Sequence, residues 1–310
     1  MSTFPCTLFL GSKTLGLSVL RVLRESAPGA LAGAVTIDDT ADSRSALREF
    51  RDYCAGIKLP LWVARDRAHA TAIISEVQPQ RCIVVGWYWL ISSETLKTVP
   101  GGFLGIHYSK LPAYRGTSPL VWQMINGEPE ASFSVFTLTD GMDEGELWAQ
   151  GSVAIRPEDY IGDVLARLTI TALDTLSELY PAILKGTAQP RPQATTGATY
   201  CAARLPDDGE IDFSQPAKTC YNFIRAQSHP YPGAFTRFGS ERLVVWRAKL
   251  LDMTYYGRAG QVTRVSPEGA LVICGDDRPL LIQSVGWEGA ERPAAEVIKS
   301  VKTRLPVLSA

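Results

Sequence analysis

The densest group of chemically useful side chains lies in residues 101–128, GGFLGIHYSKLPAYRGTSPLVWQMINGE. His107 is followed within eight residues by Tyr108, Ser109 and Arg115, among Pro and Gly turn signals. An imidazole accepts a proton from an attacking amine near neutral pH, so His107 is the first candidate for a general base. Apolar runs flank the segment, which is typical of an active-site loop supported by strands.

A second polar segment, TDGMDEG at 139–145, supplies the candidate partner Asp143. A carboxylate that holds an imidazole in one tautomer strengthens its role as a base. The strand that leads to His107 is followed along the chain by a second strand, and Asp143 lies just after that second strand. If these strands are parallel neighbours, both loops open at the carboxyl edge, where open α/β sheets bind ligands.

A structural interpretation of the same residues stays open at this point. A single loop histidine beside a tyrosine is commonly a surface residue that forms hydrogen bonds, and we assign His69 and His229 to that class. Asp140, Asp143 and Glu144 also fit a solvated turn. Composition does not decide between the two interpretations.

The elements that would position these loops alternate between strands and helices. Continuous apolar runs predict strands at CTLFLGS (6–12), LAGAVTID (31–38), LPLWVAR (59–65) and RCIVVGWYWLI (81–91). The segments KTLGLSVLRVLRES and AHATAIISEVQ predict helices between them. This order indicates an α/β fold with a doubly wound, mostly parallel sheet. Gly11 and Gly16 do not form a G-x-G-x-x-G fingerprint, so we expect no dinucleotide site.

The chain after the histidine loop completes this layer and then changes character. SPLVWQMINGE predicts a helix that stops at Asn126-Gly127, ASFSVFTLT and WAQGSVAI predict strands, and 161–184 predicts a long amphipathic helix. We expect a catalytic domain over 1–184 and a linker over 185–206, which has three Pro, two Gly and no acidic residue. Short strands with glycine turns over 207–310 predict a small β-barrel domain.

The overall composition excludes several classes of protein. Lys and Arg total 31 against 32 Asp and Glu, so no global field attracts nucleic acid. No apolar run reaches the roughly 18 residues of a membrane span and the start lacks a secretory pattern, so we expect a cytoplasmic protein. The six cysteines lack C-x-x-C spacing, and Cys6, Cys82 and Cys274 lie in apolar runs. They indicate buried thiols, not disulfides or a metal site.

The loop and its acidic partner resemble the signature of the folate-dependent formyltransferases. The resemblance rests on IHYSKLPAYRGTSPLVWQMINGE followed by D-x-G at 143–145. That family includes methionyl-tRNA formyltransferase, the amino-sugar N-formyltransferases and the hydrolase domain of formyltetrahydrofolate dehydrogenase. FLGSKTLGLSVLRVL resembles its first strand and helix, VVGWYWLI its folate-binding segment, and DDGEIDFSQPAKTCYNFIRAQSHPYPGAFTRF the start of its OB-like, barrel-like carboxy-terminal domain. The resemblance therefore covers nearly the whole chain and implies a Rossmann-like catalytic domain.

The resemblance implies 10-formyltetrahydrofolate as formyl donor, an amine as acceptor, and an Asn, His and Asp trio at the reacting carbon. His107 and Asp143 match the second and third members, and Gly105 stands where the Asn is expected. In the family that amide helps to hold the formyl oxygen, and donors of this kind contribute roughly 3 kcal/mol. The resemblance further implies that the pterin is enclosed by two segments, which contain Trp87, Tyr88, Trp89, Leu90, Thr139 and Asp140.

Gly105 admits more than one interpretation. The missing side chain could open space for a bulkier acceptor, a water or another side chain, with a backbone N–H or protonated His107 binding the oxygen. Alternatively the acceptor is water, as in the dehydrogenase hydrolase domain, which also lacks the Asn. A third hypothesis is a folate-binding protein that has lost catalysis.

The acceptor we favour is a small-molecule amine, most of all an amino sugar on a nucleotide. Transfer to tRNA is the alternative, and it predicts a basic insertion early in the sheet domain. The matching segment at 38–52 instead has five acids against three arginines. Arg115 is a candidate for a substrate phosphate or carboxylate, and Tyr108 and Ser109 for acceptor contacts. The sequence leaves a homodimer open.

Overall fold

The computed structural model describes residues 6–308, which divide into two compact units. The first unit comprises residues 6–116, 132–153 and 167–200, and the second comprises 117–131, 154–166 and 201–308. The two units therefore interleave along the chain instead of following one another. The three-part division drawn from the sequence stays a prediction.

The elements alternate through the first half of the chain as the apolar runs predict. Up to the histidine loop they are β1 Thr7–Gly11, α1 Lys13–Ser26, β2 Leu31–Ile37, α2 Leu47–Gly56, β3 Leu61–Ala64, α3 Arg67–Val77, β4 Arg81–Val85, α4 Ser93–Thr98 and β5 Phe103–His107. After it come β6 Arg115–Gly116, α5 Pro119–Ile125, β7 Glu130–Thr137, β8 Leu147–Ala154, α6 Ile161–Leu184 and β9 Tyr200–Cys201.

One seven-stranded sheet forms the centre of the first unit, in the order β3-β2-β1-β4-β5-β7-β8. The five strands from β3 to β5 are parallel, and β7 runs antiparallel to β5. Every residue of β1 is buried, as expected for a strand covered on both faces, which explains its unbroken apolar run. The chain winds outward from β1 in both directions, which confirms the doubly wound, mostly parallel α/β sheet.

Gly11 at the end of β1 and Gly16 in the first turn of α1 allow close packing of the backbone. A Cβ atom on Gly11 would lie 2.7 Å from the carbonyl oxygen of Val85, and one on Gly16 would lie 3.3 Å from the same oxygen. Helix α1 therefore starts tightly against the end of β4 because neither position carries a side chain.

Two expectations about the first unit are wrong. Strand β4 ends at Val85 instead of reaching Ile91, because Gly86 turns the chain with a φ of 63° and the Ser12 hydroxyl donates to its carbonyl oxygen at 2.5 Å. The strand β7 is antiparallel to β5, so the premise of parallel neighbours fails. Helix α2 begins in the acid-rich segment, for which no secondary structure was predicted.

The second unit is built on a six-stranded antiparallel sheet, which confirms the carboxy-terminal β domain. Its remaining elements are α7 Ala217–Arg225, β10 Ala234–Phe238, β11 Glu241–Leu250, β12 Val262–Ser266, β13 Gly269–Ile273, β14 Pro279–Trp287, β15 Ala290–Pro293 and α8 Ala294–Val297. The strands pair in the order β10-β11-β14-β13-β12, with β15 on β14. Phe213, Ile224 and Ile282 are among its fully buried core residues. Closure into a barrel stays a prediction.

All six cysteines are free thiols. Cys82 and Cys274 are buried as predicted, whereas Cys6 is only partly buried. Burial raises the pKa of the Cys54 thiol to about 11, so this group stays protonated and unreactive at neutral pH. Within residues 6–308, no helix has the length and apolar character that crossing a membrane requires.

Candidate active site

His107 ends strand β5 and points its ring at a backbone carbonyl. Its Nε2 atom lies 2.7 Å from the carbonyl oxygen of Tyr114, and its side chain is 9% exposed. A carbonyl oxygen can only accept, so Nε2 must carry the proton in this hydrogen bond. The neutral imidazole therefore has its lone pair on Nδ1.

Asp143 lies beside that lone pair without forming a hydrogen bond to it. Its Oδ2 atom is 3.6 Å from Nδ1 of His107, and the same oxygen accepts a hydrogen bond from the Gly116 N–H at 2.8 Å. A separation of 3.6 Å is beyond hydrogen-bonding distance. In this structure the backbone carbonyl of Tyr114 fixes the imidazole tautomer, and the orienting role of Asp143 stays a prediction.

The pair meets although its two strands are antiparallel. His107 pairs with Ser134, inside β7, so the end of β7 lies away from the end of β5. The loop over residues 138–146 brings Asp143 back, closed by a hydrogen bond from the Thr137 N–H to the Glu146 carbonyl oxygen at 2.9 Å. A Cβ atom on Gly145 would lie 1.7 Å from the Thr137 carbonyl oxygen, so the reversal requires glycine there.

The space beside Gly105 is occupied. A Cβ atom built on Gly105 would lie 2.6 Å from Cδ1 of Leu138 and 3.2 Å from Cε1 of Phe136. Of the three occupants considered for this space, a bulkier acceptor, a water or another side chain, the structure has the third, because Leu138 fills it. Gly105 leaves an apolar wall next to the catalytic candidates, not a cavity.

The residues assigned to binding of the formyl donor differ in their exposure to solvent. Trp87 and Trp89 pack edge to face, with ring centroids 5.4 Å apart, against the apolar cluster that Leu138 also covers. Tyr88 and Leu90 are 52% and 83% exposed. Thr139 and Asp140 are exposed at the start of the Asp143 loop. Trp87, Trp89 and Leu138 thus share one apolar surface, while the other four face solvent.

The residues assigned to the acceptor are engaged within the protein. Ser109 is fully buried, and its hydroxyl donates to the Ala113 carbonyl oxygen at 2.7 Å. Tyr108 shares a hydrogen bond with the Thr169 hydroxyl at 2.9 Å. Arg115 is buried, and its guanidinium donates to Glu144 at 3.1 Å and to Gln193 at 2.8 Å. These contacts favour roles in building the loop over direct contact with an acceptor.

Comparison with protein families accounts for both units of this fold. Residues 9–179 match the model described as formyl transferase, and residues 205–301 match the model of the formyl transferase C-terminal domain. The chain belongs to the formyl transferase family. Its His107 and Asp143 lie inside the first matched region, which is the larger of the two.

Solved structures of other proteins share the fold of this formyl transferase family member. HypX from Aquifex aeolicus, in complex with tetrahydrofolic acid, matches 97% of this chain with a TM-score of 0.64 and 17% identity. This chain spans only 48% of HypX, about half its length. The N-formyltransferase from Helicobacter canadensis, in complex with folinic acid and dTDP-3-aminofucose, has a TM-score of 0.68 and 14% identity over 89% of this chain and 98% of that one. Methionyl-tRNA formyltransferase from Clostridium thermocellum has a TM-score of 0.57 and 17% identity over 79% and 93%.

This family member also has an ion cluster that the sequence analysis did not identify. The ammonium group of Lys13 lies 2.8 Å from carboxylate oxygens of both Asp39 and Asp42, and the Tyr88 ring lies 5.3 Å away. Burial alone would lower the pKa of Lys13, but hydrogen bonds to Asp39 and Asp42 raise it above its usual range. The sequence contains the signal for this cluster. Lys13 follows β1 and both acids follow β2, so all three lie at one sheet edge.

Two side chains of the expected linker reach the site as well. The Gln193 amide donates to the carbonyl oxygens of Asp143 at 2.6 Å and Gly145 at 2.8 Å. The Thr199 hydroxyl accepts a hydrogen bond from the Tyr114 N–H at 2.8 Å. No local pattern identifies either residue, since each acts on backbone groups distant in sequence.

Proposed function

We propose that this chain transfers the formyl group of 10-formyltetrahydrofolate to an amine, with His107 as general base. The observation that carries the proposal is the unprotonated Nδ1 of His107 beside the Asp143 carboxylate, in a chain of the formyl transferase family. A base whose other nitrogen is fixed by a backbone carbonyl presents its lone pair in one direction. That arrangement suits proton removal from an attacking nitrogen.

The proposed step balances with the groups described. The amine nitrogen attacks the formyl carbon, and Nδ1 of His107 takes one of its protons. Asp143 stabilises the resulting imidazolium, since opposite charges at 3.6 Å attract strongly in a partly buried site. The bond from the formyl carbon to folate nitrogen then breaks, and His107 returns the proton to that nitrogen. The products are a formamide and tetrahydrofolate.

The donor assignment has two supports. HypX was solved with tetrahydrofolic acid and the Helicobacter canadensis enzyme with folinic acid, both on this fold. In this chain the apolar surface of Trp87, Trp89 and Leu138 provides a face on which a pterin ring can pack. Tyr88, Leu90, Thr139 and Asp140 stay proposed donor contacts, since their exposure leaves them accessible.

For the acceptor we propose a small-molecule amine, with a nucleotide-linked amino sugar as the favoured class. The Helicobacter canadensis enzyme, solved with such a sugar, is similar over 98% of its own length. In this chain two of the cations near the acidic segment are already paired, since Lys13 and Arg44 both contact Asp42 at 2.8 Å. Paired cations bind RNA phosphates weakly, so tRNA stays the alternative acceptor.

Hydrolysis of the formyl donor is a second candidate because Gly105 provides no amide for the formyl oxygen. Leu138 argues against hydrolysis, since its side chain fills the space beside Gly105 that an extra water would need. The remaining oxygen donors would be backbone N–H groups or the imidazolium.

One assay separates these functions. The protein is incubated with 10-formyltetrahydrofolate alone, with a panel of nucleotide amino sugars, and with aminoacylated initiator tRNA. Tetrahydrofolate, formate and formylated product are each quantified. We expect tetrahydrofolate to form with an equal amount of formylated sugar and little formate. Formate release at the same rate without amine would establish hydrolysis, and product only with tRNA would establish the other transferase. A donor that binds without turnover under all conditions would contradict catalysis.

A further inference from the structure

We infer that Gln193 and Thr199 are positioning residues that hold the two halves of the catalytic pair from one segment of chain. This inference rests on the proposed function. Gln193 acts on the Asp143 loop, and Thr199 acts on the residue whose carbonyl fixes His107. Both lie in the stretch after α6 that composition marks as a linker.

Gln193 joins three backbone and side-chain groups around Asp143. Its amide nitrogen donates to the Asp143 and Gly145 carbonyl oxygens, and its amide oxygen accepts from Nη2 of Arg115 at 2.8 Å. Arg115 also donates to Glu144 at 3.1 Å, so residues 143, 144 and 145 are each held. Gln193 is half-buried while its sequence neighbours are exposed, as expected for a side chain turned inward.

The Asp143 loop needs such support because its backbone is unfavourable. Asp143 has a φ of 53°, in the left-handed region that few residues other than Gly, Asn and Asp adopt. Apart from this network of hydrogen bonds, the loop has no regular secondary structure that would hold it. The two hydrogen bonds from the Gln193 amide therefore fix the backbone of this turn at two of its carbonyl oxygens.

Thr199 performs the corresponding task for His107. Tyr114 has a φ of 59°, which is a strained conformation for an aromatic residue, and its N–H donates to the Thr199 hydroxyl. The next residue, Arg115, donates its own N–H to the Thr199 carbonyl oxygen at 2.8 Å. The Tyr114 carbonyl that accepts from Nε2 of His107 is thus aimed by Thr199.

The test replaces each side chain with one of similar volume that lacks the polar group. Gln193→Leu removes the donor to Asp143, and Thr199→Val removes the acceptor for Tyr114. The matched controls, Gln189→Leu and Thr196→Val, change the same residue types at exposed positions of the same segment. Turnover, the KM for the formyl donor, the melting temperature and the exchange rate of the Gly116 amide proton are measured for each. That proton is donated to Asp143 and reports its position without any reaction.

We expect Gln193→Leu to lower kcat by about 10- to 100-fold with little change in KM, because misplacement of about 1 Å has effects of this size. Exchange of the Gly116 proton should accelerate by about tenfold in the same variant, since the local structure opens. Thr199→Val should lower kcat less, because its hydrogen bond is exposed, and should leave the Gly116 proton protected. The controls should match the unmodified protein in all four measurements.

A charged replacement at Gln193 adds a pH readout that a merely structural role would not produce. Gln193→Glu keeps the acceptor for Arg115 but aims a carboxylate at two carbonyl oxygens. Protonation restores one O–H donor, and the reference pKa of Glu is about 4.3, so the turnover of this variant relative to Gln193→Leu should rise as pH falls from about 6 to about 4. A constant ratio across that range would contradict the hydrogen bonds as the cause.

The other possible results of these measurements also support or contradict the inference. Loss of kcat without faster Gly116 exchange would show that Gln193 does not act through Asp143, and faster exchange with normal kcat would show that positioning is not needed. If the unmodified protein has no turnover but Gln193→Leu still exposes the Gly116 proton, the proposed function fails while the structural hold on Asp143 stands. Unchanged kcat and exchange in both variants would overturn the inference.

Discussion

Two charged groups lie at the same carboxyl edge of the large sheet, and they are organised in opposite ways. In one, the Lys13 ammonium contacts both Asp39 and Asp42 at 2.8 Å, so positive charge is matched at contact distance. In the other, His107 and Asp143 approach only to 3.6 Å, and each has its close hydrogen bond with a backbone group instead. The first group links the ends of β1 and β2, whereas the second leaves a lone pair available.

We propose that this difference separates a structural cluster from a reactive one. A matched ion pair gains nothing further from a substrate, because each charge is already compensated. A lone pair held beside a carboxylate becomes more stable only when a proton arrives, which is the event that a general base provides. A charged residue at a ligand-binding edge is therefore not sufficient to identify a catalytic site. An atom with an available lone pair, such as Nδ1 of His107, is more informative.

The largest effect is expected when the base is removed and its hydrogen bond to Tyr114 is kept. His107→Gln can still donate to the Tyr114 carbonyl oxygen but has no basic nitrogen. We expect turnover of the formyl donor to fall by a factor on the order of 10²–10⁴, the usual contribution of a general base. His69→Gln is the control and should retain full turnover. Equal activity of the two variants would remove His107 from the mechanism.

Removing the carboxylate charge tests the other half of the pair. Asp143→Asn keeps an oxygen for the Gly116 N–H and tolerates the positive φ, so the loop should keep its shape. We expect turnover to fall by about 10²-fold, because the imidazolium loses its stabilising charge. Asp140→Asn changes an exposed acid in the same loop and should have no effect. A loss no larger than that of the control would contradict the role of Asp143.

A change in the ion cluster around Lys13 should alter the stability of the protein and not the rate of the chemical step. Lys13→Met leaves Asp39 without its cation and Asp42 with Arg44 as its only remaining close cation. We expect the free energy of unfolding to fall by roughly 1–3 kcal/mol, less than for a fully buried pair because the cluster retains solvent contact. The rate of the chemical step should persist in single-turnover experiments. Lys185→Met, at an exposed position, is the control for urea unfolding. A catalytic defect at full stability would place Lys13 in the active machinery.

The smallest expected effect concerns the wall beside Gly105. Gly105→Asn alone meets Leu138, and overpacking of this kind costs about 1–3 kcal/mol. The double change with Leu138→Ala should recover at least about 1 kcal/mol of that loss, since it removes the conflicting methyl groups. Urea unfolding of both single variants and the double variant completes the cycle. Additive effects would show that Leu138 does not fill the position of the missing amide.

The parts of the fold that the sequence predicts are those with local causes. Continuous apolar runs specify β1 to β4, and the parallel order follows from strands that alternate with helices. The sense of β7 has no local signal, so the premise that joined His107 to Asp143 was wrong even though the two residues do meet. The end of β4 depends on Gly86 and on Ser12, which lies 74 residues away.

The candidate site shows the same division. Residue chemistry pointed to His107 and Asp143, and the resemblance supported both and added Gly105, because the three positions belong to one ordered motif. It did not identify what holds them, since Tyr114 acts through its carbonyl oxygen and Gln193 through backbone groups 48 and 50 residues away. Backbone partners carry no side-chain signature. Leu138 was also missed, because side-chain packing against a glycine is a property of three dimensions only.

The tautomer of His107 shows whether an unprotonated ring nitrogen faces the site of formyl transfer. Nitrogen-15 NMR of the imidazole, assigned by comparison with His107→Gln, distinguishes a protonated Nε2 from a protonated Nδ1 in the neutral ring. The structure predicts a proton on Nε2, donated to Tyr114, and an unprotonated Nδ1 beside Asp143. A neutral ring with its proton on Nδ1 and directed at Asp143 would contradict the account, because no base would then face the site of transfer.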